Sequence, residues 1–341
     1  MKLEVIQLEM ESKKIESRFI RITRESGIPL IGHIAFGILD RGTSLLQVRC
    51  TTVCNANCQF CSTDGGPNSK FHKTNYIVDI DYLTEEVEKL AKIKGNDLII
   101  FLDSVGEPTT HPNFIELVAC LKQIQQVKEI IVITNGTLLT KEKIDNLEKA
   151  GLTRINLSFH SIDPELSKKL FGMPTYNVNK TIELIKYIKQ NTKIDLMLTP
   201  VWLPNINDKE IVKIINLCKE FNCKIGLQNY ETYKYSRKMK GAKKQTYWKF
   251  YNKIKLWEKD FDIKLIMKNT DLGIEKRPRM QEVFSIGEKT NVKIVCSGWY
   301  PNQMIGVARN RCISINNCEK TIGETIKVKI LENKNNIYIA E

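Results

Sequence analysis

Three cysteines within eight residues, Cys54-Asn-Ala-Asn-Cys58-Gln-Phe-Cys61, constrain this chain more than any other stretch. A loop that short can turn all three thiolates toward one place. Thiolates are soft ligands, so the candidates are zinc and iron–sulfur. A closed structural zinc site takes four protein ligands. The nearest further donors are Cys50, on the preceding apolar run, and His72 downstream. Three cysteines on a four-iron cluster leave one iron open to another ligand, whereas a fully protein-capped cluster takes four. Spacing alone leaves both metals standing.

The surroundings of the loop narrow the choice. From 45 to 230, apolar runs alternate with amphipathic segments. Period and punctuation predict strands at Leu45–Arg49, Asp97–Leu102, Glu129–Thr134, Arg154–Phe159, Lys193–Pro200 and Lys224–Gln228. Helices are expected at Tyr82–Lys94, capped by Asp81, and at Asn113–Ile124, Lys141–Ala150, Pro164–Phe171, Val178–Gln190 and Asp208–Phe221. Near-continuous apolar strands between amphipathic helices mean a parallel sheet covered by helices. Six such units give an α/β partial barrel, short of a closed one, with its chemistry at the C-terminal ends of the strands. The cysteine loop, Ser104–Pro108, Asn135-Gly136, Ser158–Ser161 and Thr199-Pro200 all fall at those ends. A zinc loop alone predicts no such polar punctuation on strand after strand.

The cysteine spacing, with the aromatic Phe60 just before Cys61, resembles the signature of the radical S-adenosylmethionine (SAM) superfamily. Gly106-Glu107-Pro108 is similar to the family motif that holds the SAM amino group, with Val105 where the family more often has a first glycine. The resemblance covers 45–230 and implies a partial (β/α)6 barrel of radical SAM type. It implies that Cys54, Cys58 and Cys61 ligate a [4Fe–4S] cluster whose open iron chelates SAM. Electron transfer then cleaves SAM, and a 5′-deoxyadenosyl radical takes a hydrogen atom from the substrate. It further implies that Phe60, Gly106, Glu107, Asn135 and Ser158 help to hold SAM, and that a donor such as a ferredoxin or flavodoxin supplies electrons. The glycine-rich pattern the family often shows on its fifth strand is not evident in Leu196–Val201, so contacts to adenine do not carry over.

Charge bears on the substrate. The formal net charge is +13, which favours a polyanionic partner, nucleic acid first. No signal peptide and no apolar run near the roughly 18 residues of a membrane span is visible, so a cytoplasmic protein with reduced thiols and no membrane partner is expected. Residues 1–44, with Phe19–Ile22 and Gly32–Ile38 extended, read as an N-terminal β extension. Residues 45–284 form the barrel with a basic helical extension at 231–284. From Lys234 to Lys255 there are nine basic residues and no acidic one, interleaved with Tyr235, Tyr247, Trp248, Phe250 and Tyr251. Lys234, Arg237, Lys238, Lys240, Lys243 and Lys244 could track phosphates while rings stack on bases. Phe250, Ile254 and Trp257 equally fit the buried face of a solvated helix.

Residues 285–341 read as five short strands, a small OB-type barrel. Gly306–Arg311 with Ile322–Val328 is similar to the TRAM domain, an RNA-binding barrel, which implies phosphate contacts from Arg309 and Arg311. The combined expectation is an RNA-modifying radical SAM enzyme, tRNA being the first candidate. A radical SAM enzyme acting on a peptide or metabolite, and a non-catalytic zinc RNA-binding protein, are the rivals.

Overall fold

The structure, a computed structural model, describes residues 18–72 and 74–341. The start of the expected 1–44 extension therefore lies outside the described residues.

In chain order, β1 (Arg18–Ile22), β2 (Gly37–Asp40), β3 (Leu45–Arg49) and β4 (Thr74–Val78) precede α1 (Ile80–Lys94). Then come β5 (Leu98–Leu102), α2 (Phe114–Lys122), β6 (Val127–Thr134), α3 (Lys141–Lys149), β7 (Arg154–Leu157), α4 (Pro164–Phe171) and α5 (Val178–Asn191). The alternation closes with β8 (Asp195–Leu198), β9 (Val201–Trp202), α6 (Asp208–Glu220), β10 (Lys224–Ile225) and β11 (Gln228–Asn229). A basic segment leads to α7 (Tyr247–Phe261), and β12 (Lys289–Ser297), β13 (Met304–Ala308), β14 (Arg311–Ile315), β15 (Thr325–Glu332) and β16 (Ile339–Ala340) follow.

Two compact units emerge. The first comprises the described residues up to Val53, Ser69–Lys128 and Glu275–Glu341; the second comprises Cys54–Asn68 and Glu129–Ile274. In the first, β3 pairs with β5 in parallel, and β2 adds an antiparallel edge. β1 pairs with β4, a strand the sequence reading did not foresee. Helix α1 starts two residues earlier than Asp81 suggested, because Asp79 is the cap and its carboxylate accepts from the Tyr82 N–H. Strand β2 begins only at Gly37, since the preceding stretch turns through Gly32 to meet the C-terminal barrel: Ile31 O and Gly32 O accept from the N–H groups of Cys312 and Tyr338 at 2.8 and 3.1 Å.

That barrel is closed in the order β12-β13-β14-β16-β15, as expected. Its alternating inward residues, among them Val292, Ile294, Ile313, Ile315, Val328 and Ile330, form one buried cluster with Phe284 and Tyr338. In the second unit β7 and β8 extend the parallel order from β6, and β10 follows β8. Counting β3 and β5 of the first unit, these six strands have parallel pairing, the number expected of the partial barrel. Among the described residues no helix is long and apolar enough to cross a membrane.

Candidate active site: the cysteine loop and the strand ends

The second unit carries the cysteine loop, and the C-terminus of α4 holds it. Phe171 O and Leu170 O accept from the N–H groups of Asn57 and Gln59, both at 2.9 Å. Gly172, left-handed at φ +59°, ends α4, and a side chain there would collide with the Asn57 carbonyl. Within the loop, Cys61 N–H donates to Cys58 O at 3.1 Å. The Cys61 sulfur accepts from Gly65 N–H and lies against the Thr63 hydroxyl, each at 3.3 Å. Burial pushes the Cys58 thiol well above its ordinary value. Cys61 and then Cys54 push the same way, while Arg237 opposes them. Cys58 thus lies within electrostatic reach of the other two sulfurs.

Arg237 lies far away in sequence and was expected to bind RNA. The structure gives it partners in the cysteine loop. Its guanidinium donates to Asp64 Oδ1 at 2.7 Å, to Cys58 O at 3.0 Å and to Gly65 O. Its backbone N–H donates to Cys61 O at 2.9 Å. Three of its five N–H groups are engaged by the cysteine loop, so Arg237 acts as a strut for that loop. Lys234, Lys238, Lys240, Lys243 and Lys244 are exposed, as expected for solvent-facing cations.

Phe60 turns inward and packs with Leu170, Leu203, Tyr230 and Met239, its ring edge-on to His160 at 4.8 Å. His160 is buried, accepts from Val201 N–H at 3.1 Å, and has its pKa lowered to about 3 by burial. It is a neutral structural imidazole. Asn135, after β6, donates to Asn55 Oδ1 at 2.9 Å, and its own oxygen takes the Thr137 N–H and hydroxyl. Asn55 lies inside the cysteine motif and donates back to Thr137 at 2.8 Å. The strand end and the loop are therefore tied by amide pairs that the spacing did not disclose. Ser158, half-buried, continues β7 through its N–H to Thr134 O at 2.8 Å.

In the first unit, Gly106 and Glu107 sit on a loop clamped to the residues just before Cys54. Glu107 N–H donates to Val53 O at 2.8 Å, and Thr110 Oγ1 reaches the same carbonyl at 3.2 Å. A Cβ on Gly106 would strike the carbonyl oxygens of Thr52 and Val53, so only glycine fits. Glu107 is buried and caps the turn after it, accepting from the Thr109 N–H at 3.1 Å and hydroxyl at 2.6 Å. Upstream, Asp103 is held by Arg49 through two bonds, 3.1 Å from Nε and 2.7 Å from the terminal nitrogen.

Residues 48–218 match the family model of the radical SAM superfamily. The chain belongs to the radical SAM superfamily. An uncharacterised protein of Methanocaldococcus jannaschii is 40% identical to this radical SAM chain over 341 residues, covering 92% of it and 78% of that protein. A probable GTP 3′,8-cyclase of Methanosarcina mazei is 31% identical over 191 residues, 54% of each protein, so the chain matches about half the length of that cyclase. Among solved structures, SuiB of Streptococcus suis bound to SAM has a TM-score of 0.50 at 18% identity, covering 64% of this chain and 47% of SuiB, a likeness of fold.

Membership implies a [4Fe–4S] cluster and SAM as cofactors, and the residues present fit them. The donor set is three thiols and nothing harder, with an N–H aimed at one sulfur, as suits cluster sulfur ligands. Among the described residues no three His, Cys, Asp or Glu side chains converge on a point for a single ion. Cysteines that each hold a different iron of one cluster need no such point.

Proposed function

We propose that this radical SAM enzyme modifies RNA, most directly a nucleoside of tRNA. The observation that carries the reading is the surface of α7. Phe250, Ile254 and Trp257 take its buried face, with Trp257 against Trp202 at 4.8 Å. That leaves Trp248 72% exposed, Tyr247 56% and Tyr251 43%, beside Lys249 and Lys255 and after the exposed Lys240, Lys243 and Lys244. Large rings left in water cost free energy unless something covers them. Rings among lysines suit an unpaired nucleic acid strand, whose bases stack and whose phosphates pair with cations. Tyr247 and Tyr233 also share Glu231 through their hydroxyls, which tethers both rings.

When bound, the cluster and SAM supply hydrogen-atom abstraction at an unreactive C–H bond. The chain's part is to hold, orient and exclude water. Cys54, Cys58 and Cys61 are assigned as iron ligands, with Arg237 fixing their loop. Gly106, Glu107, Asn135, Ser158 and Phe60 are assigned to the SAM-holding residues. The C-terminal barrel is assigned as TRAM-like, and the electron donor as a ferredoxin or flavodoxin. A second reading, a free nucleotide substrate, draws on the cyclase relative, whose name gives GTP as what it acts on.

Fluorescence anisotropy with unmodified tRNA tests the reading. The reconstituted protein should bind with an affinity that falls steeply between 50 and 200 mM salt. Trp248→Ala with Tyr251→Ala should weaken it roughly 5- to 100-fold, the loss expected of one to two stacked bases. No binding, or binding unaffected by both salt and the double substitution, contradicts it. SAM cleavage stimulated by GTP and not by RNA would favour the nucleotide reading.

A further inference from the structure

The pairing of two barrel strands places four lysines on one face. In β12 and β15, Lys289 lies directly opposite Lys329, Asn291 opposite Lys327, and Lys293 opposite Thr325. All six residues are exposed. The intervening Val292, Ile294, Val328 and Ile330 point into the barrel core, which fixes the outward direction of the six. The face is thus a two-by-three grid of four ammonium groups, one amide and one hydroxyl. Along each strand the outward side chains repeat every ~6.7 Å.

This arrangement runs against the usual economy of a sheet. Like charges directly opposite each other destabilise an antiparallel pair. Lysines often guard an edge strand against mispairing, but both strands here are paired on either side within a closed barrel. Nor are the charges neutralised locally. A minority of the other lysines have a carboxylate, among them Lys89, Lys92, Lys168, Lys213, Lys224 and Lys264. Among the described residues no ion pair joins any of the four ladder lysines to an acid. The acids nearest in sequence are otherwise engaged or peripheral. Glu288 pairs with Arg309 at 2.6 Å, Glu324 pairs with Lys320 at 3.7 Å, and Glu341 meets Lys329 through backbone bonds.

Arg309 and Arg311, the barrel residues that the sequence pointed to, are less available. Arg309 donates to Val283 O and Glu288, and its guanidinium lies over the Phe284 ring at 4.7 Å. Arg311 donates to Asn310 O and to the Met280 sulfur. The cationic face of this barrel is the β12–β15 ladder rather than the β13–β14 hairpin.

We propose that Lys289, Lys293, Lys327 and Lys329 bind the phosphate backbone of the RNA substrate. The proposal rests on the RNA reading above. It adds that the barrel supplies sequence-independent grip, since ammonium groups in a regular array read phosphate charge and not base edges. The grid has no exposed aromatic ring, so stacking is left to α7.

The test is anisotropy with tRNA across a salt series, using three full-length, cluster-reconstituted proteins. These are the wild type, a ladder variant (K289Q/K293Q/K327Q/K329Q), and a charge-matched control (K143Q/K149Q/K180Q/K186Q) altered at exposed lysines of the second unit. The ladder variant should bind several-fold to tenfold more weakly near 100 mM salt. Its slope of log affinity against log salt should be shallower by about 3 to 4, as four lost phosphate contacts require. The control should keep the wild-type slope. A melting temperature at or above that of the wild type would show the barrel intact, since like-charge repulsion has been removed. Equal slopes in ladder variant and wild type, with RNA still bound, overturn the ladder and leave the RNA reading standing. Equal losses in ladder variant and control overturn it too, as a net-charge effect. No RNA binding by the wild type overturns both, and wild-type binding to phosphatidylserine vesicles instead would assign the face to a membrane.

Discussion

Arg237 shows how much one side chain can hold. Its ion pair with the buried Asp64 and its bonds to Cys58 O and Gly65 O staple the cysteine loop from a segment far along the chain. Arg237→Met should cost about 3 kcal/mol of stability, the order expected when a buried pair loses one partner. It should also lower the iron retained after anaerobic reconstitution. Unchanged iron content and an unchanged unfolding midpoint would contradict the strut role. Two buried histidines make a second prediction. Burial, with Arg49 beside it, lowers the pKa of His33 to about 3, and burial alone does the same for His160. Below about pH 6.5 the unfolded chain takes up protons on both that the folded chain refuses. Their stabilisation is therefore complete above pH 6.5 and is lost as pH falls toward 3, by about 1.4 kcal/mol per unit for each histidine. Urea midpoints should drop from pH 7 to pH 5, before carboxylates such as Asp195 and Glu210, whose pKa values are lowered, begin to protonate. Equal midpoints at the two pH values would rule this out. The cysteines were legible because ligand chemistry dictates both residue type and spacing. Arg237 was not, since its role depends on a partner 173 residues away.

Among the elements, the helices and main parallel strands were foreseen in order, with some strand ends two or three residues off, because burial on one or both faces writes a period into the sequence. Pro164–Phe171 and Leu45–Arg49 match their expected bounds. Strand β4 was missed: it is five residues long and follows a polar loop. The lysine ladder was missed for another reason. Alternation tells which residues face outward, but only register tells which lysines stand side by side. Helix α7 makes its two faces separable by substitution. Phe250→Ala should cost about 3–5 kcal/mol, whereas Trp248→Ala should stay within roughly 0.5 kcal/mol of wild type while weakening RNA binding. Helix α1 ends on Lys94, which pairs in full burial with Asp40 at 2.7 Å and also donates to Pro278 O at 2.8 Å. The other Asp40 oxygen accepts from Met280 N–H at 2.8 Å, so the pair pins the segment leading to the barrel. Lys94→Met should destabilise by about 3–5 kcal/mol. The double variant with Asp40→Asn should recover part of that loss, since no buried charge then lacks its counterion. Chemical denaturation of the three proteins checks both statements.

For the whole molecule, the cofactor chemistry and the substrate rest on different evidence. The family, the three thiols and their N–H donor fix the first. The second rests on where a net charge of +13 is displayed: beside exposed rings on α7, and in paired array on the barrel. Neither the sign of that charge nor its amount names a nucleoside, because phosphate contacts carry no base information. The most direct test is therefore mass spectrometry of the nucleosides of total tRNA, comparing the wild-type organism, a strain deleted for this gene, and the deletion complemented with Cys58→Ala. The account predicts that one modified nucleoside disappears on deletion, returns with the wild-type gene, and stays absent with Cys58→Ala. An identical nucleoside profile in all strains would contradict it.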